Sequence, residues 1–236
     1  MDVRVLGCDG SYPAANGACS GYLVTFEGGQ RFLLDCGTAV LPRLMSLMDP
    51  SKLSAVVITH WHNDHASDML TLRYYLQIHR KQLRVYAPAT DQALRTLCVG
   101  EEFDLRDIKT GFEMDGISMQ ALPVPHPVPA YAVRLSDKSD RSMVYTGDIA
   151  EGSSAVSFCK GADLLICDAS FTDEQWHPKM PHLSARMAGE LGNQAGVKQL
   201  LLTHCQPNND MNTLLAQGRE AYPGAQFAKA GMLIKL

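Results

Sequence analysis

The stretch Ala55-Val56-Val57-Ile58-Thr59-His60-Trp61-His62-Asn63-Asp64-His65 runs from a short apolar segment into four potential metal ligands, His60, His62, Asp64 and His65. The apolar segment reads as a strand buried on both faces. Side chains alternate along an extended chain, so His60 and His62 point the same way if strand geometry persists to them, and Asp64 and His65 then occupy the turn into the next helix. A lone histidine on an apolar face is usually a satisfied core residue. Three imidazoles and a carboxylate crowded together are costly to bury without a compensating charge, and a divalent cation satisfies them together.

Working outward, four further apolar runs end in an acid or a histidine: Arg31–Leu34 before Asp35, Ser142–Tyr145 shortly before Asp148, Leu164–Cys167 before Asp168, and Leu200–Thr203 before His204. In a sheet covered by helices, side chains just beyond the strand ends converge on one crevice, so these endings predict a shared site. Helices are expected over roughly 39–49, 67–80, 90–99, 184–196 and 210–220, with Ser184 and Asp210 as N-caps. A hairpin is expected at Gly28-Gly29, and two strands within 117–135 flank a corner holding Pro123, Pro125, His126, Pro127 and Pro129. No internal repeat or long linker is evident, so residues 1–236 are read as a single α/β domain layered helix/sheet/sheet/helix.

The chain has 236 residues, 46% hydrophobic and 19% charged, enough to bury roughly 70–75% of the unfolded surface. Its formal charge of −4 argues against capture of long nucleic acid, which favours a basic face. The N-terminal segment lacks signal-peptide character, and no apolar stretch reaches the ~20 residues of a membrane span. A cytoplasmic location with no membrane partner is expected. Seven cysteines without a C-x-x-C pair read as thiols, mostly buried, in a reducing compartment.

The pattern H-x-H-x-D-H over 60–65 resembles the signature of the metallo-β-lactamase-fold superfamily, and the likeness extends over nearly the whole chain. It implies a four-layer αβ/βα sandwich. By that resemblance His60, His62 and His126 hold one metal, Asp64, His65 and His204 hold a second, and Asp148 bridges them; Asp35 orients metal-bound histidines from behind. Other readings of single residues stand beside these: Asp35 as a turn residue before Gly37, and His126 as an incidental residue of a proline corner. The nitrogen and carboxylate donors suit two zinc ions and also admit manganese or iron. Such a pair holds a bridging hydroxide at neutral pH and polarises the substrate oxygen. No G-x-S-x-G elbow competes with that chemistry.

Within the superfamily the segment LLICDASF, followed by HLSARMAGELGNQAGVKQLLLTH, is similar to ribonuclease Z and its phosphodiesterase relatives. On that likeness His182 donates a proton to the leaving oxygen, Asp64 helps align the nucleophile and Asp168 lies in the supporting network; the plainer reading of His182 is a residue leading into the Ser184-capped helix. About twenty residues separate His126 from Asp148, leaving no room for the arm with which ribonuclease Z grips transfer RNA. The reading is therefore a phosphodiesterase for a small-molecule or nucleotide-like substrate. The alternatives are a carboxylic ester, thioester or lactone hydrolase using the same metals, and a non-catalytic metal-binding accessory protein. A homodimer is expected by the same resemblance.

Overall fold

The computed structural model describes all residues 1–236, in two compact units: 1–110 with 229–235, and 111–228 with 236. The first unit contains β1 (Asp2–Gly7), β2 (Gly21–Thr25), β3 (Arg31–Leu34), α1 (Val40–Met45), β4 (Ala55–Val57), α2 (Asn63–Ala66), α3 (Asp68–His79), β5 (Leu83–Ala87), α4 (Ala93–Cys98) and β6 (Phe103–Asp107). The second contains β7 (Phe112–Met114), β8 (Ile117–Val124), β9 (Ala130–Asp137), β10 (Ser142–Tyr145), α5 (Val156–Cys159), β11 (Leu164–Asp168), α6 (Ala185–Ala195), β12 (Leu200–Thr203), α7 (Met211–Ala221) and β13 (Gln226–Phe227). The last strand, β14 (Leu233–Lys235), returns to the first unit's sheet.

Each unit carries a seven-stranded mixed sheet, ordered β14-β1-β2-β3-β4-β5-β6 in the first and β13-β12-β11-β10-β9-β8-β7 in the second. Their pairings follow one scheme. From β14 to β3 and from β7 to β10 neighbours are antiparallel; from β3 to β6 and from β10 to β13 they are parallel. The parallel strands β4, β11 and β12 are buried throughout, as continuous apolar runs require. The hairpin strand β8 instead mixes buried and exposed positions.

The hairpin joining β2 and β3 turns where expected, with Phe26 N–H donating to Gln30 O, and β8 and β9 flank the proline corner in antiparallel register from Ile117↔Asp137 to Val124↔Ala130. Ser184 caps α6 by accepting from Met187 N–H, and Asp210 caps α7 by accepting from Asn212 N–H. α6 buries a face of Ala185, Ala188, Gly189, Gly192 and Ala195. A Cβ on Gly189 would meet Gly218 O of α7 at 2.5 Å, so glycine sets how closely these two helices pack. β4 stops at Val57, earlier than expected, because the chain must leave the sheet to deliver His60 through His65 to a turn.

Candidate metal centre

In the first unit, Asp35 lies just past β3 in the left-handed region, φ 56°, a conformation non-glycine residues adopt at some cost. The fold holds it there with its N–H donating to Val57 O at 2.9 Å. Its buried carboxylate receives Thr59 N–H on Oδ1 at 2.7 Å, and the Thr59 hydroxyl at 2.9 Å and His65 Nδ1 at 2.7 Å on Oδ2. An ionised carboxylate only accepts, so His65 carries its hydrogen on Nδ1 and keeps the Nε2 lone pair for a cation. That Nε2 lies 3.6 Å from Asp64 Oδ2, and the same Asp64 oxygen accepts Ser11 N–H at 2.8 Å.

His60 Nε2 and His62 Nδ1 are 3.1 Å apart, and the His60 and His65 ring centroids 4.1 Å. The segment is pinned from several sides. Buried Trp61 donates from its indole to Pro88 O at 2.9 Å, Ser20 N–H reaches Asp64 O, and Cys36 N–H reaches His65 O at 2.7 Å. A Cβ at Gly37 would sit 1.9 Å from Asp64 O, so only glycine lets the two loops approach this closely.

In the second unit, Asp148 follows β10 and is 1% exposed. Its Oδ1 lies 3.3 Å from His204 Nε2, and its Oδ2 lies 3.7 Å from His126 Nε2 and 3.8 Å from His182 Nδ1. His126 Nδ1 is 3.2 Å from Pro181 O; a carbonyl only accepts, so this ring too is protonated on Nδ1 and offers Nε2 toward Asp148. Asp168 ends β11. Its Oδ2 accepts from Ile149 N–H at 3.1 Å and His182 Nδ1 at 2.8 Å, and its Oδ1 accepts from Ser170 Oγ at 2.7 Å. His182 is held further by Trp176, whose indole donates to His182 O at 3.1 Å.

One ligand-type atom each from Asp148, Asp168, His182 and His204 lies within 4.8 Å of the others. With both oxygens of Asp168 taken by donors, Asp168 orients its neighbours, and Asp148 is the carboxylate of this group placed for a cation. The donor set, imidazole nitrogens and carboxylate oxygens, fits a divalent metal ion. Thiols do not compete: burial pushes Cys36 and Cys167 well above the ordinary thiol range, keeping them neutral. Thus His60, His62, Asp64, His65 and Asp35 come together in one unit, and His126, Asp148, Asp168, His182 and His204 in the other. Sequence reading did not single out Thr59, Ser170, Trp61 or Trp176. Thr59 and Ser170 carried a signal, since each hydroxyl sits within two positions of a candidate site residue.

Residues 30–205 match the Beta-lactamase superfamily domain. Over 253 aligned positions the chain is 33% identical to Probable metallo-hydrolase YhfI of Bacillus subtilis (strain 168), covering 99% of each. The crystal structure of YhfI superposes with a TM-score of 0.91 at 31% identity, covering 99% of this chain and 98% of that one. Ribonuclease Z of Archaeoglobus fulgidus is 26% identical, covering 99% of this chain and 97% of its own length. The short form of human tRNase Z shares the fold at TM-score 0.82 and 21% identity, covering 100% and 99%. With its two mixed sheets and flanking helices, its strand-end histidines and carboxylates, and these likenesses over almost its whole length, the chain belongs to the β-lactamase superfamily as a member with the metallo-hydrolase α/β sandwich fold.

Proposed function

We propose that this protein is a dinuclear metal-dependent phosphodiesterase for a small or nucleotide-like substrate. The observation that carries the reading is the pair of buried Asp168 and partly exposed His182, 2.8 Å between Oδ2 and Nδ1, beside Asp148. It supplies an imidazole whose Nδ1 is held by a carboxylate and whose side chain remains 12% exposed, the arrangement a proton donor needs.

In this reading His60, His62 and His126 would hold one divalent ion and Asp64, His65 and His204 a second, with Asp148 serving both, as the family resemblance implies. Zinc suits the donors, and manganese or iron would also be accepted. Two such ions supply activated water at neutral pH and charge stabilisation at the phosphoryl oxygens. The chain's own residues do the rest. Asp35 holds His65 in the tautomer that keeps the lone pair on Nε2, and the amide of Ser11 fixes Asp64. His182 gives the proton on Nε2 to the leaving oxygen, and Asp168 stabilises the imidazolium before that transfer.

Likeness to ribonuclease Z supports the phosphodiester class. The Archaeoglobus alignment extends over 299 positions against 236 residues here, so that enzyme carries segments this chain lacks, which favours a substrate smaller than transfer RNA. The test is elemental analysis of purified protein combined with hydrolysis of bis-p-nitrophenyl phosphate, p-nitrophenyl acetate and a lactone, with Asp148→Ala as control. Two metals per chain and diester cleavage lost in the variant are expected. Cleavage of the ester or lactone alone replaces the phosphodiester reading with the carboxyl-ester one, and bound metal with no turnover of any probe replaces it with a metal-binding accessory role.

A further inference from the structure

We propose that Ser170, and by the same logic Thr59, are positioning residues through which one buried carboxylate sets the tautomer of a second histidine. This rests on the metal reading above only in giving His204 and His60 the role of ligands.

Ser170 Oγ lies 2.7 Å from Asp168 Oδ1, 2.8 Å from His204 O and 3.0 Å from His204 Nδ1. A hydroxyl has one hydrogen to give and lone pairs with which to accept. The carboxylate oxygen and the carbonyl oxygen can only accept; the Ser170 hydrogen goes to Asp168 Oδ1, the nearer and charged acceptor, and Nδ1 of His204 is then the donor toward Ser170 Oγ. Were Nδ1 unprotonated, Ser170 would have to turn its hydrogen to the ring and leave the buried Asp168 Oδ1 facing a lone pair, a costly arrangement. Direct control by Asp168 is ruled out by distance, since its Oδ1 is 3.9 Å from His204 Nδ1. The consequence is an Nδ1-protonated His204 whose Nε2 lone pair is directed at the Asp148 side, 3.3 Å from Oδ1.

The first unit repeats this circuit with different connectivity. Thr59 Oγ1 gives its hydrogen to Asp35 Oδ2 at 2.9 Å and lies 3.1 Å from His60 Nδ1, so His60 is also protonated on Nδ1 and carries its lone pair on Nε2, 3.1 Å from His62 Nδ1. Asp35 therefore fixes His65 directly and His60 through Thr59, as Asp168 fixes His182 directly and His204 through Ser170. The hydroxyl comes from the histidine's own segment in one unit and from the acid's segment in the other. Two independent routes to the same tautomer are hard to ascribe to packing.

The test is long-range 1H–15N correlation of the imidazoles in the full-length, metal-free protein, with zinc affinity measured by chelator competition, for wild type, Ser170→Ala and Ser170→Thr. Wild type is expected to show His204 and His60 with protonated Nδ1 and unprotonated Nε2. Ser170→Ala is expected to lose the single tautomer at His204 and to bind one of its two zinc ions ~10–100-fold more weakly, with Ser170→Thr restoring both. Wild type that takes up no zinc overturns the metal reading. Wild type that takes up zinc while Ser170→Ala matches it and keeps His204 protonated on Nδ1 overturns the Ser170 assignment alone. If Ser170→Ala does not fold, the wild-type spectrum decides: an unprotonated Nδ1 on His204 overturns it.

Discussion

Asp168 Oδ2 accepts from His182 Nδ1 at 2.8 Å while its other oxygen accepts from Ser170, so one carboxylate holds His182 directly and the hydroxyl beside His204 Nδ1 at the same time; on the proposed reading the first imidazole is the proton donor and the second a metal ligand. The two roles separate by mutation. Removing His182 is expected to lower kcat by ~10²–10⁴ for a diester with an alkoxide-type leaving group, with little change for p-nitrophenolate, which departs without a proton. Metal content should be unchanged. Asp168→Asn is expected to lose comparable activity and to weaken zinc binding as well, because it also disturbs His204. Equal zinc affinity in the two variants would contradict the dual role.

Metal removal tests the ligand cluster as a stability element. Imidazoles and carboxylates so deeply buried repel or go unsatisfied when the cation leaves, and a ligand that binds only the native state stabilises it by mass action. Dialysis against a chelator is expected to lower Tm and zinc addition to restore it. A Tm indifferent to both would argue against a metal at these residues.

Gly37→Ala places a methyl group where Asp64 O now stands. The backbone of either loop has to move, at a cost of about 1–3 kcal/mol or more. Chemical denaturation should show the loss of stability, and metal affinity should fall with it, because the displaced carbonyl belongs to Asp64. A variant of wild-type stability would mean that these loops yield more easily than the contact suggests.

The Ser184→Ala variant removes the acceptor for Met187 N–H at the start of α6. A loss of ~1 kcal/mol is expected from the cap alone, read as a lower denaturant midpoint with unchanged slope. The hydroxyl also donates to Asp173 Oδ1 at 2.9 Å, so the effect should not be smaller than for a simple cap.

Burial pushes the thiols of Cys19 and Cys159 up to about 12 and that of Cys98 to about 11. In the folded protein these groups stay protonated well beyond the pH at which unfolded thiols ionise, ~8.5. The stability they contribute is therefore fully present below that pH and is lost as pH rises toward 11–12. Reaction with a disulfide reagent near pH 8 should be slow until denaturant is added, and Tm should decline above pH 9. Rapid labelling of Cys98 or Cys159 in the native protein would show that these sites open readily.

Much of the fold was legible because it rests on local patterns. Continuous apolar runs marked β3, β4, β10, β11 and β12, and the polar residues at their ends marked the site, since strand ends are where a covered sheet exposes side chains. Ser184 and Asp210 were readable as caps because capping depends on a residue type beside a helical pattern. The repeated scheme of three antiparallel and then three parallel pairings in each sheet was not readable, because strand pairing is made by backbone groups common to all residues. The cluster His60 to His65, by contrast, was readable, because the crowding of ionisable side chains by itself pointed to a divalent cation.

What the sequence by itself determined is therefore the set of donors and their order along the chain: three imidazoles and a carboxylate within 60–65, and single acids or histidines closing the later strands. Tertiary structure decided which nitrogen of each ring is available. That choice depends on hydrogen bonds between residues far apart in the chain, Asp35 to His65, Pro181 to His126, Ser170 to His204, and on left-handed backbone at Asp35 and His204, which Asp and His tolerate better than most residues but which the fold imposes at these two positions. Ligand identity is a property of side-chain type. Ligand orientation is a property of distances that exist only after the chain has folded.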